Sequence, residues 1–486
     1  MANDTSPYGL IAAADVGSWD SEADVVIIGL GAGGSCAAIE AARAGARVTV
    51  LERASGGGGL TSNAGGHFYL GGGTRVQKAV GVEDDVEDMY KYLLAVTPKP
   101  EEDKIRAYCD DSVSHFDWLV EQGVPFTDTM VKEKDVLQMT DDCLIWSGNE
   151  EVWPYREQAK PAPRGHKVAE PGEGGGAKLM DVLITKVKEV GVDIVTDAAA
   201  QKLIRDGNRI VGVQYKKDGA DQHIKANKAV VLASGHYTGN PEMLSQYTPK
   251  LADERITKQH TPFCDGSSHQ MGAAAGGVLK HMDGALITSP FYPPQTLIFG
   301  VLVNKNGKRY VAEDSYHSRS SILTTDQPDG IAYMIVDESI FDRPLYGGYE
   351  VVDVWESFEE MEKDLGMPEG NLVETMRKYN EAAATGDDTE FHKGAKWMRA
   401  LDKPPFAALC ANVGEGFWVG FALGGLKCDI EGRLLREDDS VIEGLYAVGA
   451  CAANIAQDGT GYSSGTCIGE STYFGRRAGK SAAAEA

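Results

Sequence analysis

Apolar residues in this chain come in short blocks separated by glycine, and the period within each block predicts its element. Val25, Val26, Ile27 and Ile28 form a β-branched run; a glycine turn and an alanine-rich helix follow, then an apolar strand at 46–51. Residues 82–122 carry Met89, Leu93, Ile105, Phe116 and Leu119 at three- and four-residue spacing and read as largely helical up to Gly123. A second amphipathic helix spans 178–190. Strands are expected at 192–195, 201–204, 210–215, 223–226 and 229–232, and a small-residue helix at 272–277. The pattern then changes, with strands near 297–303 and 331–336 and helices near 358–365 and 372–384. Beyond 405 glycine-rich text returns and runs into a closing helix through Phe474 and Arg476. The expected fold class is α/β: a loosely ordered lead-in at 1–20, a Rossmann-like domain built from 21–284 and 406–486, and an α+β cap inserted at 285–405.

The turn after the first strand carries the first candidate chemistry. Gly29, Gly31 and Gly34 stand at G-x-G-x-x-G spacing, with Gly33 between them, and Glu52 closes the second strand. Such glycines permit a tight turn, let a pyrophosphate approach the backbone and bring helix against strand, while the helix N-terminus offers free N–H groups. An acid at the second strand's end accepts ribose hydroxyls and repels a 2′-phosphate. The spacing alone often marks an ordinary turn; strand, turn, helix, strand and acid in register point to a dinucleotide, NAD or FAD. Residues 55–73 are too glycine-rich for helix or strand and hold the donors Thr61, Ser62 and Asn63, as expected where backbone passes a cofactor.

Composition narrows the class further. A formal charge of −25 over 486 residues argues against nucleic acid and anionic membranes, and no apolar run is long enough for a membrane span or signal peptide. The eight cysteines are scattered, without zinc or iron–sulfur spacing, as in reduced cytoplasmic proteins. No metal site is expected, and the expected location is the cytoplasm.

Several separate stretches, in order, carry a resemblance. They are the fingerprint with Glu52 and Arg53, the loop Thr61-Ser62-Asn63-Ala64-Gly65-Gly66, VVLASGHYTGN (230–240), CDG (264–266), NGKRYVAE (306–313), the Gly-Gly-Leu at 424–426, GLYAVGA (444–450) and the terminal FGRRAG. Together they make the chain similar to the fumarate reductase/succinate dehydrogenase flavoprotein superfamily over nearly its whole length. The resemblance implies FAD, non-covalent because the loop that carries the linking histidine in covalent members holds none at 55–63. It places the cofactor on Gly29, Gly31, Gly33, Gly34, Glu52, Arg53, Thr61, Ser62, Asn63, Gly65, Gly66, Ala233, Ser234, Gly235, Asn240, Asp265, Gly449, Gly465, Thr466, Cys467 and Ile468.

Where dicarboxylate-reducing members keep cations, this chain has Phe421, Tyr462 and, near the third position, Tyr316 or His317, with Arg319 close by. Neutral and apolar groups there suit an uncharged ketone. The set Tyr316, Tyr462 and Ser464 resembles that of flavin-dependent 3-ketosteroid dehydrogenases, the Δ4-(5α) type more than the Δ1 type. The implied roles are Tyr462, with the Gly465 N–H, on the ketone oxygen; Ser464 on the α-proton; Tyr316 as relay, with His317 a lesser partner; and FAD as hydride acceptor. Apolar walls are expected from Phe291, Tyr292, Leu297, Phe299, Phe417, Trp418 and Phe421, with Phe299 and Phe421 against the substrate. The expected partners are a hydrophobic ketone and an electron acceptor that the sequence does not specify. The alternatives are a Δ1-dehydrogenase, a fumarate reductase-like enzyme on another enone or unsaturated acid, and a non-catalytic FAD-binding protein.

Overall fold

Val25, Val26 and Ile27 are fully buried and Ile28 nearly so. A parallel strand covered on both faces has no polar side to show, which is why this run reads as unbroken apolar sequence. It ends β1 (Ser21–Ile28), in a computed structural model that describes residues 6–486 except Leu137, Tyr346 and Asn454. α1 (Ala32–Arg43) follows, then β2 (Val48–Leu51), parallel to β1. On the other side of β1 lies β3 (Ala220–Leu232), also parallel to it.

Around these strands the described residues form a nine-stranded sheet. Its main path runs Gly9–Ala12, Ala199–Asp206, Arg209–Lys217, β3, β1, β2 and Asp193–Val195. The first of these lies in the expected loose lead-in and pairs in parallel with Ala199–Asp206. The two strands expected at 223–226 and 229–232 are one. A bulge between Ala226 and Ala229 takes up the polar pair Asn227-Lys228, which reads as a break in the sequence. β3 changes partner along its length: its first half pairs antiparallel with Arg209–Lys217, and its last residues pair in parallel with a C-terminal strand at 441–447. This puts the strand ends 28–30, 232–235 and 447–449 side by side.

The long helical stretch divides into Val86–Val96, Glu102–Asp110 and Ser112–Glu121, the first break falling at Pro98 and Pro100. The small-residue helix lies earlier than expected, at Ser267–Ala274. In the inserted part, Gln295–Phe299 is a 3₁₀ turn and not a strand. The Phe299 carbonyl is taken by the Tyr379 hydroxyl, and pairing starts at Val301. A four-stranded antiparallel sheet runs in the order Val301–Asn304, Ala332–Asp337, Phe406–Cys410, Val351–Trp355, so the sheet continues past residue 405. α2 (His317–Thr325) lies between this unit and the strand pair Ala285–Thr288 with Val419–Ala422.

β4 (Val441–Ala447) and α3 (Thr466–Ala484) close the chain. α3 packs tightly along α1. A Cβ on Gly475 would stand 2.4 Å from the Gly33 carbonyl oxygen, and one on Gly479 2.2 Å from that of Ala37, so the two helices meet backbone to backbone.

Candidate functional site

The aligned strand ends, α1, the start of α3, the strand pair Ala285–Thr288 with Val419–Ala422 and the start of α2 enclose a cavity of about 860 Å³. At one end Gly29, Gly31 and Gly33 line it, together with Glu52, Arg53, Thr61 and Asn63. The Glu52 carboxylate accepts the Leu30 N–H on one oxygen and the Ala54 N–H on the other, both at 2.8 Å. Each oxygen keeps a lone pair toward the cavity, where a ribose hydroxyl can donate. Nothing lies within 4 Å of where a Cβ on Gly31 would stand, and α1 begins there without a side-chain cap, so its first-turn N–H groups are available to phosphate. Ala233, Ser234 and Gly235 line the opposite wall, and Gly449 the floor.

Five expected cofactor residues stand behind that wall. A Cβ on Gly34 would overlap the Gly29 carbonyl, so this glycine serves helix packing. Ser62 lies under Gly58. Asn240 caps the helix Pro241–Tyr247 and donates to the Asp265 carbonyl. Asp265 pairs with Arg53 at 2.5 Å and accepts the Tyr8 hydroxyl, orienting Arg53 over Phe263. Thr466 donates to the Ser463 carbonyl from the first turn of α3.

The other end is lined by Gly65, Gly66, Tyr462, Ser464, Gly465, Cys467 and Ile468, with Phe421 and His317. Gly465 holds φ +98°, and a Cβ there would stand 2.5 Å from the backbone of Phe68 and Tyr69. This turn opens α3 with no side-chain cap, aiming the Cys467 and Ile468 N–H groups into the cavity. Tyr316 lies just behind the lining and donates its hydroxyl to Ser464 Oγ at 2.6 Å. Burial holds the Tyr316 and Tyr462 phenols well above their ordinary pKa, Tyr462 with added help from Cys467, so both stay protonated. His317 shares a hydrogen bond with Thr288 Oγ1; burial, then the Lys134 charge, lowers its pKa to about 3, so it is neutral.

Phe421 faces Tyr462 edge-on at 6.3 Å and stacks on His236 at 6.0 Å. Phe299 is elsewhere. Its ring packs on Trp397 with the Arg399 guanidinium above it, inside the inserted unit and away from the cavity. Phe417 lines the cavity, whereas Phe291, Tyr292, Leu297 and Trp418 are core residues. Among the described lining residues Arg53 is the one Lys or Arg, and it sits beside Glu52. The Arg319 guanidinium lies over the Tyr155 ring, Arg156 donates to the Glu151 and His392 carbonyls, and Arg164 is paired with buried Asp84.

Glu470 and His236, which the sequence reading missed, also line the cavity, as does His67. Glu470 accepts the Ile455 N–H on Oε2, its Oε1 has no partner among the described residues, and burial raises its pKa to about 8. His236 accepts the Thr238 N–H on Nδ1; as burial keeps it neutral, Nε2 carries a proton and finds no acceptor. Buried His67 likewise leaves Nε2 unpartnered. Only the GTCIGE spacing, which puts Glu470 on the same face of α3 as Cys467, could have signalled either of the missed groups. Unpaired polar atoms and uncapped helix starts around so large a cavity fit a bound FAD.

Residues 24–467 match the family described as FAD binding domain. The structure of a 3-ketosteroid-Δ4-(5α)-dehydrogenase from Rhodococcus jostii RHA1, in complex with 4-androstene-3,17-dione, is 38% identical, with a TM-score of 0.90 over 98% of this chain and 99% of that one. A 3-oxo-5-alpha-steroid 4-dehydrogenase from Comamonas testosteroni is 26% identical, covering 90% of this chain and 94% of its own length. An NADH:acrylate oxidoreductase from Vibrio harveyi is 30% identical over 78% of this chain, which spans 37% of that relative's length.

Proposed function

Because the chain belongs to the FAD-binding flavoprotein family of the fumarate reductases and succinate dehydrogenases, and is an FAD-dependent oxidoreductase acting on CH–CH groups, we propose that it introduces the C4–C5 double bond into a 3-keto-(5α)-steroid. The observation that carries this reading is the character of the reactive end: two phenols and a serine, with no Lys or Arg side chain lining it. A carboxylate substrate calls for a bidentate cation, and the arginines nearest in sequence are engaged elsewhere.

The Tyr462 hydroxyl, kept protonated by burial, donates to the ketone oxygen and acidifies the neighbouring C–H. The helix-start N–H groups beside it oppose the enolate charge that develops. Both hydroxyls first turn so that Ser464 donates to Tyr316, the reverse of their resting hydrogen bond, and Ser464 then takes the α-proton as its own proton passes to Tyr316. FAD, held without a covalent bond by the Gly29 turn, Glu52 and the start of α3, supplies the hydride acceptor. Phe421 and Phe417 give the apolar walls.

Anaerobic addition of the 5α-dihydro form of 4-androstene-3,17-dione is expected to bleach the bound flavin. A spectrum unmoved by the steroid, with turnover of fumarate by the reduced protein, would overturn the assignment.

A further inference from the structure

Burial leaves Tyr316 unable to rest as an anion, and the Ser464 hydroxyl is too weak an acid to be one. A proton leaving the substrate must therefore travel through both hydroxyls in one concerted motion and end on a group that is already negative. Behind this pair lies a cluster of buried polar groups. The segment 147–150 braces both residues: the Ser147 carbonyl accepts the Ser464 N–H at 2.7 Å, and Asn149 Oδ1 accepts the Tyr316 N–H at 2.8 Å. Next in that segment is Glu150, 1% exposed, with Oε2 on the Gly148 N–H and Oε1 without a partner. Ser147 Oγ, Asn149 Nδ2, Tyr69 Oη and Arg164 Nη1 are also buried and unpartnered among the described residues. Tyr69 Oη lies close to both Glu150 and Arg164, yet makes a well-directed hydrogen bond to neither. These five buried polar atoms, unpartnered among the described residues, have hydrogen-bonding capacity that internal water can take up.

We propose that Glu150 receives the substrate proton from the Ser464–Tyr316 pair, through water held among these groups. The inference rests on the desaturase reading. The α C–H bond breaks and its electron pair enters the enolate; the proton goes to Ser464 Oγ, the serine proton to Tyr316 Oη, the tyrosine proton to the water, and a water proton to Glu150 Oε1. Each oxygen in the chain gains one proton and loses one, so the single new charge is the enolate, and Glu150 is neutralised. Glu150 touches neither substrate nor cofactor and acts through Tyr316.

The groups facing Glu150 are the cations Arg164 and Lys134 and the phenols Tyr69, Tyr92, Tyr292 and Tyr316; burial keeps the phenols protonated and lowers the Lys134 pKa. Burial, against the pull of Arg164, raises the Glu150 pKa to about 7. A proton acceptor must be ionised, so the rate of flavin bleaching by the steroid rises through pH ~7 and levels off above it. Glu150→Gln is expected to slow that step roughly a hundredfold and flatten the profile, with Glu150→Asp restoring part of both. As a readout independent of turnover, the infrared carboxylic acid band that titrates near pH 7 in the resting protein is lost in Glu150→Gln, while the higher-titrating Glu470 band stays. Wild-type protein unbleached by the steroid fells the desaturase reading and this proposal together. Bleaching with an unchanged rate and profile in Glu150→Gln overturns the proposal alone, as does an infrared titration that survives the change.

Discussion

Tyr462 and Ser464 sit two residues apart at the start of one helix, and what separates their tasks is hydrogen bonding. Ser464 already receives the Tyr316 hydroxyl at 2.6 Å and is tied into a chain, whereas buried Tyr462 has its phenol in the cavity wall with Phe421 edge-on beside it. Removing one donor to a developing oxyanion costs about 10²–10³ in rate. Tyr462→Phe should therefore slow steroid bleaching by about that factor and leave the flavin bound, since the cavity's shape barely changes. A near wild-type rate would remove the tyrosine from its assigned place. Tyr462 and Ser464 drew notice in the sequence because they stand in the glycine-rich stretch that leads into α3, and Tyr316 only through the family resemblance. Glu150 was not legible. Nothing in the local sequence tells a buried acid from an exposed one; its isolation comes from Tyr69, Tyr92 and Arg164, which other parts of the chain bring to it.

At the scale of elements, the α1–α3 contact holds both uncapped helix starts on one cavity, one at each end. Its close approach depends on residues without side chains. Gly→Ala inside an exposed helix normally stabilises by about 1 kcal/mol. At Gly479 the new methyl would stand 2.2 Å from the Ala37 carbonyl oxygen, and overpacking a rigid backbone contact costs about 1–3 kcal/mol. The overlap is the larger effect, so Gly479→Ala should lower the urea midpoint and weaken flavin retention; a raised midpoint would mean the helices do not touch there. The apolar text located α1, β2 and the inner end of β1 because those residues are buried almost without interruption. It missed the continuity of β3, since the bulge at Asn227-Lys228 presents polar residues mid-strand, with the Lys228 ammonium turned to the Ala483 and Glu485 carbonyls. It also began the strand near 297–303 too early, since Leu297–Phe299 are held in a 3₁₀ turn by tertiary contacts and the strand starts at Val301.

For the whole molecule, the stretch NGKRYVAE carried family resemblance, and its charged residues serve the frame and not the cavity. Arg309 donates to Glu313 at 2.8 and 2.9 Å and to Asp388 at 2.8 Å, and the Lys393 ammonium lies 3.1 Å from Glu313, all four side chains being buried. Glu313 also accepts the Leu302 N–H, so the cluster ties the sheet strand Val301–Asn304 to the segment around 388–393. Burial alone would raise both carboxyl pKa values; Arg309, with Lys393 on Glu313 and backbone N–H groups on each acid, outweighs it and leaves them lowered. Lowered carboxyl pKa values give stability that is present above the unfolded carboxylate range and is lost as pH falls through the folded values. Acid should therefore loosen this unit. Breaking a buried pair by removing one partner costs about 3–5 kcal/mol, because the remaining charge is left uncompensated. Arg309→Met should show that loss at about pH 7, where both acids are ionised. The difference from wild type should narrow toward pH ~4, as the orphaned carboxyls take up protons more readily than the paired ones. Urea denaturation of both proteins across that range tests it, and a gap that widens on acidification would mean that Arg309 is not what holds these carboxyls ionised.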